Sequence, residues 1–215
     1  MLKLLDKYNA ILSKKQEYSS DFIALWEGLL KSETTGPRHT NEQGLGMIIL
    51  IACECSGIVR DAFLALGHDA MSADLKPTQR PGPHYQGDVR DVLYDRWDAL
   101  IAHPVCKYMA NSGNKHLYLR IEGKWAKENG KNEERWEKMK AGAEFFNLFD
   151  RADHIPLRCV ENPIMNGHAL GMVGRIATQF VQPHWFGDPF SKATGLWLTG
   201  FKPAMVRVLR QALSG

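Results

Sequence analysis

The stretch "IAHPVCKYMANSG" sets Cys106 just behind an apolar run that Pro104 brings to a stop, with Asn111 and Ser112 following. A thiol at the end of a strand can serve as a nucleophile toward an electron-poor carbon, although a free cysteine is more often a buried hydrophobe. His103 and Lys107 stand near enough in the chain to favour a thiolate. In "CVENPIMNGH" an apolar run ends on Glu161 and Asn162. A carboxylate there risks desolvation, which raises its pKa and suits it to hold or protonate a ring nitrogen. The other reading makes Glu161 the cap of a helix that begins at Pro163.

Three further positions suit a nucleoside cofactor. The turn "CECSGIV" carries one glycine, Gly57, where a dinucleotide fingerprint has three, so it is a weak pyrophosphate cradle. A cofactor without phosphates needs only close backbone approach at Gly57 and a carboxylate for the ribose. Asp74 falls near the expected place, roughly 20 residues on. Tight-turn and helix-capping roles account for the same two residues equally well. Asp88 in "HYQGDVRDV" could accept a bond from an adenine amino group or simply serve a turn. In "QPHWFGDPFSKATGLWLTG" the cation Lys192 suits a phosphate, and Trp185 or Phe186 suits stacking on a base; ordinary hairpin packing explains the aromatics too.

The elements that must position these residues are legible from periodicity. "MIILIA" is a continuous apolar run, the mark of a strand buried on both faces of a parallel sheet. "IVRDAFLALGH" has helical spacing, with Val59, Phe63 and Leu66 inward, and "DAMSADL" predicts a second strand ending at Asp74. Together they make a βαβ unit. Further strands are predicted at "WDALIAHP" and "PLRCVENP". Between them "NEERWEKMKAGAEFFNLFDRA" predicts a long helix with Trp136, Met139, Ala143, Phe146 and Phe149 inward. The alternation implies an open α/β sheet with ligands at the carboxyl ends of its strands, where every residue singled out above falls.

The chain has 215 residues, 44% of them apolar, and a net charge of +3. That permits phosphate contact without demanding it. Residues 1 to about 31 predict two amphipathic helices, and a polar stretch to 45 predicts a linker, so a helical extension precedes one α/β domain over 46–215. The N-terminus lacks the features of a secretory signal, and no apolar run reaches the roughly 18 residues of a membrane span. Four cysteines at irregular spacing predict neither a disulfide framework nor a zinc site, in keeping with a reducing, cytoplasmic setting. The charge run "EGKWAKENGKNEER" reads as a solvated loop and helix start, or as a lid or nucleic-acid contact.

Taken in order, Gly57, Asp74, Asp88, "HPVC" with Cys106 and "VENP" with Glu161 and Asn162 resemble the cytosine-5 DNA methyltransferase family over roughly residues 47–200. The segments "ACECSG" and "ENP" are also similar to those of short phage-borne methyltransferases. The resemblance implies a Rossmann-like class I methyltransferase sheet with helices on both faces, and a phage or prophage source. It implies S-adenosyl-L-methionine as cofactor, bound by Cys55, Ser56, Gly57, Asp74, Asp88 and Pro104. It assigns Cys106, Glu161 and Asn162 to catalysis on cytosine in DNA or in a cytidine nucleotide, and Asn111, Ser112, Trp185 and Lys192 to contact with the nucleic acid.

The sequence also departs from that pattern. Pro-Pro-Cys is Pro-Val-Cys here, the glycine-rich turn is reduced to "CSG", and "PFSKAT" replaces an arginine-bearing segment. The chain closes at Gly215, soon after Lys192, with little length for a domain that reads DNA and holds an extruded base. These departures frame the rival expectation of a catalytically silent protein that binds nucleic acid or a host protein. In either case the N-terminal helices are candidates for self-association or partner contact.

Overall fold

A computed structural model describes residues 46–127, 130–182 and 191–201. The helices expected over the first 31 residues and the linker to 45 lie outside the described residues, as do Trp185 and Phe186. The described part begins with β1 (Ile48–Ala52), α1 (Ile58–Ala65), β2 (Asp69–Asp74), β3 (His84–Gln86) and β4 (Ala99–Ala102). A short hairpin of β5 (Arg120–Ile121) and β6 (Lys124–Trp125) precedes α2 (Glu133–Asp150) and β7 (Leu157–Pro163). Then come α3 (Gly167–Val173), β8 (Gln179–Val181) and β9 (Thr194–Thr199).

Seven strands form one sheet in the order β3-β2-β1-β4-β7-β9-β8. β1 pairs in parallel with β2 and β4, and β4 in parallel with β7. β9 enters antiparallel between β7 and β8. This is an open, Rossmann-like α/β sheet, as expected. Its strand order reverses between β1 and β4, which opens the crevice where such sheets take ligands.

The continuous apolar run of β1 is explained by two cores, one on each face. Ile49 and Ile51 pack with Phe63 of α1 and with Ile101, Cys159 and Leu198. Leu50 and Ala52, on the opposite face, share a core with Phe146 and Phe149 of α2 and Ala169 of α3. Each of those α2 rings is fully buried, a contribution of about 1.5–3 kcal/mol apiece. Met139 and Ala143 lie beside them as the periodicity predicts, and Trp136 packs partly buried against the same core. Asn132 caps the helix by accepting a bond from the Arg135 amide at 3.2 Å.

α1 departs from its expected face. Phe63 is buried, but Leu66 falls at the C-cap and is exposed, and Arg60 is fully buried instead. Its guanidinium bonds Asp61, Ser72 and Thr78 and the carbonyls of Arg80 and Pro81. It thereby fastens the loop after β2 to the helix. Cys159 is wholly buried within β7, and burial pushes its thiol well above the ordinary range, so it is a core residue. No described helix is long and apolar enough to cross a membrane.

Candidate active site

The first βα turn leaves β1 through Cys53, a non-glycine residue at φ 59°, and closes on Gly57 at φ 74°. Gly57 is required twice over. Its conformation favours glycine, and a Cβ there would stand 2.6 Å from the buried Arg60 Nη2. The turn is held by Glu54, a residue the motif reading did not single out. Its buried carboxylate accepts bonds from the Ser56 hydroxyl and, at 3.1 Å, from the Gly57 amide. Cys55 anchors the opposite side, its carbonyl accepting the Gln79 amide at 2.8 Å.

Asp74 and Asp88 converge on this turn. Burial pushes the Cys53 thiol up to about 12, and the carboxylates of Asp74 and Asp88 push it the same way. Burial and then Asp74 raise the Cys55 thiol. Asp74 is partly exposed at the end of β2 and accepts the Lys76 amide at 2.9 Å, so it closes a turn rather than capping a helix. Leu75, beside it, is 75% exposed. Asp88 takes the Arg90 amide at 3.0 Å and the Arg90 guanidinium at 2.8 Å, and the amide bond first holds its carboxyl below the usual range. Asp88 thus performs the turn role foreseen for it while lying beside Asp74.

The second half of the site is made by the loops that follow β4 and β7. Beyond Pro104, Cys106 accepts the Met109 and Ala110 amides on its carbonyl, both at 3.0 Å, which folds the loop back on itself. The loop then runs against the one after β7. The Asn111 amide donates to the Ile164 carbonyl at 2.8 Å, and the Asn166 amide to the Met109 carbonyl at 2.8 Å. Asn166, not Glu161, caps the following helix, accepting the Ala169 amide at 3.0 Å while its amide group donates to the Met109 carbonyl. Cys106 is half-buried, and Val105 before it and Ile164 on the facing loop are both exposed.

Neither basic neighbour of Cys106 in the sequence pairs with its thiol. His103 Nδ1 lies 3.4 Å from Glu161 Oε2, and Lys107 lies over the ring of Tyr108. His103 Nε2 is buried without a hydrogen-bond partner. Asn162 is fully buried, and neither its amide nitrogen nor its oxygen has a partner. β7 carries Glu161 and Asn162 onward by pairing with β9, where Asn162 lies opposite Gly195. Lys192 is exposed two residues before Thr194, which pairs with Pro163, so the β9 entry runs beside the same loop. Asn111 and Ser112 are exposed at the start of a 3-10 segment, Asn111–Leu117.

Glu54, Arg60 and Asn166 do their work through backbone and loop contacts between distant segments. An acid between two cysteines directly after an apolar run was the one local signal for Glu54. No family model matches the chain, and no curated protein matches it. Solved structures similar to it include a chain assigned as a DNA modification methyltransferase encoded within a prophage of E. coli. It is 14% identical over 70% of this chain and 46% of that one, with a TM-score of 0.41. Two structures of the bifunctional kinase-methyltransferase WbdD, one with a kinase inhibitor, are 12% identical over 71% of this chain. They are covered to 36% and 34%, at TM-scores of 0.37 and 0.36. The chain spans less than half the length of each of these structures, and at such identities the likeness concerns the fold alone.

Proposed function

We propose that the chain methylates carbon 5 of cytosine, in a nucleic acid or a cytidine nucleotide, through a covalent adduct on Cys106. The observation that carries the reading is the pair of bridged loops, which hold the Cys106 and Glu161 segments against each other at the carboxyl edge of the sheet. Asn162 beside them has a fully buried amide with no partner. Such a group costs about 1–3 kcal/mol unless something bonds it, and a pyrimidine edge carries the complementary donors and acceptors.

The residues at the first βα turn fit S-adenosyl-L-methionine. Asp74 suits the ribose hydroxyls, Asp88 the adenine amino group and exposed Leu75 the face of a purine, while Gly57 shapes the turn beside them. When bound, that cofactor supplies an electrophilic methyl group. Cys106 as thiolate adds to carbon 6 of the base, and Glu161 holds a proton at ring nitrogen 3 as negative charge spreads toward carbon 5. His103 orients the Glu161 carboxylate. After carbon 5 has gained its methyl group it gives up its proton to solvent, the electron pair left behind forms the bond to carbon 6, and the carbon–sulfur bond breaks to restore the Cys106 thiolate. Acid assistance of this kind contributes about 10²–10⁴ in rate.

The test is a single-stranded oligonucleotide with 5-fluorocytosine, whose fluorine blocks proton loss and leaves the adduct in place. Mass spectrometry should find a covalent complex that requires the cofactor and disappears in Cys106→Ser. Calorimetry should find cofactor affinity intact in that variant and lost in Asp74→Ala. Cofactor binding without any adduct on DNA or free nucleotides would instead support a silent protein that uses the fold for binding.

A further inference from the structure

We propose that Lys107, Arg135 and Lys138, gathered about the ring of Tyr108, form a phosphate site that holds a nucleic-acid strand by its backbone beside Cys106. The inference rests on the reading above only for which base the strand presents. Lys107 Nζ lies 5.6 Å from the Tyr108 ring centroid, the Arg135 guanidinium carbon 5.2 Å and Lys138 Nζ 5.7 Å. Three like charges therefore share one ring, each attracted to its face but repelled by the others. Glu134 neutralises Lys138 alone. Among the described residues neither Lys107 nor Arg135 is paired with a carboxylate.

Two details argue against a merely solvated arrangement. Arg135 sits in the first turn of α2, where the helix dipole disfavours a cation, and its Nε is buried without a partner. The backbone also makes room for the guanidinium. A Cβ on Gly113 would stand 2.8 Å from Arg135 Nη2, so glycine there lets the 3-10 segment pass against it. A phosphate supplies what the cluster lacks, a compact anion with several acceptor oxygens for a forked donor and two ammonium groups.

The surroundings favour a strand over a single free phosphate. Between residues 107 and 138 the sequence has eight lysines and arginines against five glutamates, a surplus equal to the +3 of the whole chain. Arg120 and Lys124 are exposed on the β5-β6 hairpin, and Trp125 meets His116 edge-on at 5.2 Å beside them. A row of cations with aromatic rings between them is the pattern that tracks a single-stranded backbone.

Fluorescence anisotropy of the full chain with a labelled single-stranded oligonucleotide containing cytosine, repeated across salt concentrations, tests this. Lys107→Gln with Arg135→Gln should weaken binding at least tenfold and flatten the salt dependence by about 1.4, close to 0.7 for each lost phosphate contact. Cofactor affinity by calorimetry should not change. Lys107→Gln with Lys138→Gln, both exposed positions, repeats the test should the Arg135 variant unfold by circular dichroism. Unchanged affinity in these variants, wild-type binding without salt dependence, or competition by dCMP as strong as by the strand would each overturn the proposal. A wild-type chain that fails to bind the cofactor would sink methyl transfer and leave this test intact.

Discussion

Of the cysteines, Cys106 alone combines a loop setting at the sheet edge with an exposed apolar neighbour, Val105, while Cys53 and Cys159 are held protonated by burial. This has a measurable consequence at high pH. The folded-state pKa of Cys53 is raised from 9.0 to about 12, so the folded chain keeps a proton that the unfolded chain releases. Stability is thus unaffected below about pH 9 and falls between there and about pH 12, with a limiting slope near 1.4 kcal/mol per pH unit from this group. Urea unfolding at pH 8 and pH 10.5 should show a smaller alkaline loss in Cys53→Ala than in wild type. Equal losses would mean that the thiol does not differ between the two states. At this scale the sequence exposed the types and order of Cys106, Glu161, Asn162, Asp74 and Asp88. It hid where His103 and Lys107 point, because side-chain direction depends on partners 58 residues away, as with His103 and Glu161, or on a ring, as with Tyr108.

Among the elements, α1 and the loop after β2 form one unit through Arg60. The guanidinium is fully buried, and a Cβ at Gly82 would come within 2.7 Å of its Nη2. Replacing it by methionine keeps the stem but strips the loop carbonyls and Thr78 of their donor. Arg60→Met should cost about 3–5 kcal/mol in urea unfolding, as for other buried charge networks broken on one side. A loss under about 1 kcal/mol would show that the loop is fastened elsewhere. Periodicity revealed α2 almost residue for residue, since Met139, Ala143, Phe146 and Phe149 repeat at helical spacing. It misjudged α1, where an arginine occupies an inward position and Leu66 comes one residue too late for the helix. It could not supply β3 or the β5-β6 hairpin, whose two or three residues are too few to show a period.

Across the described residues as a whole, stability is graded. β1, β4 and β7 are central and sealed by cores on both faces, whereas the β5-β6 hairpin pairs only with itself and is largely exposed. Hydrogen exchange should find the slowest amides at Leu50, Ile51, Leu100 and Val160, and fast exchange at Arg120–Trp125. Comparable protection of the hairpin would require a partner that covers it. The sheet order and the place of β9 depend on pairings between distant segments, which no local pattern records. The resemblance carried by the ordered motifs foresaw the type of sheet, but not this order.

The contact of Asn111 with Ile164 and of Asn166 with Met109 has a bearing on redesign. Because each loop is shaped by the backbone of the other, neither is an independent part. A chimera that imports the Cys106 loop from a relative while retaining the native Glu161 loop inherits mismatched halves. The two segments have to be transplanted as a couple, and changes on one side will show strong epistasis with changes on the other.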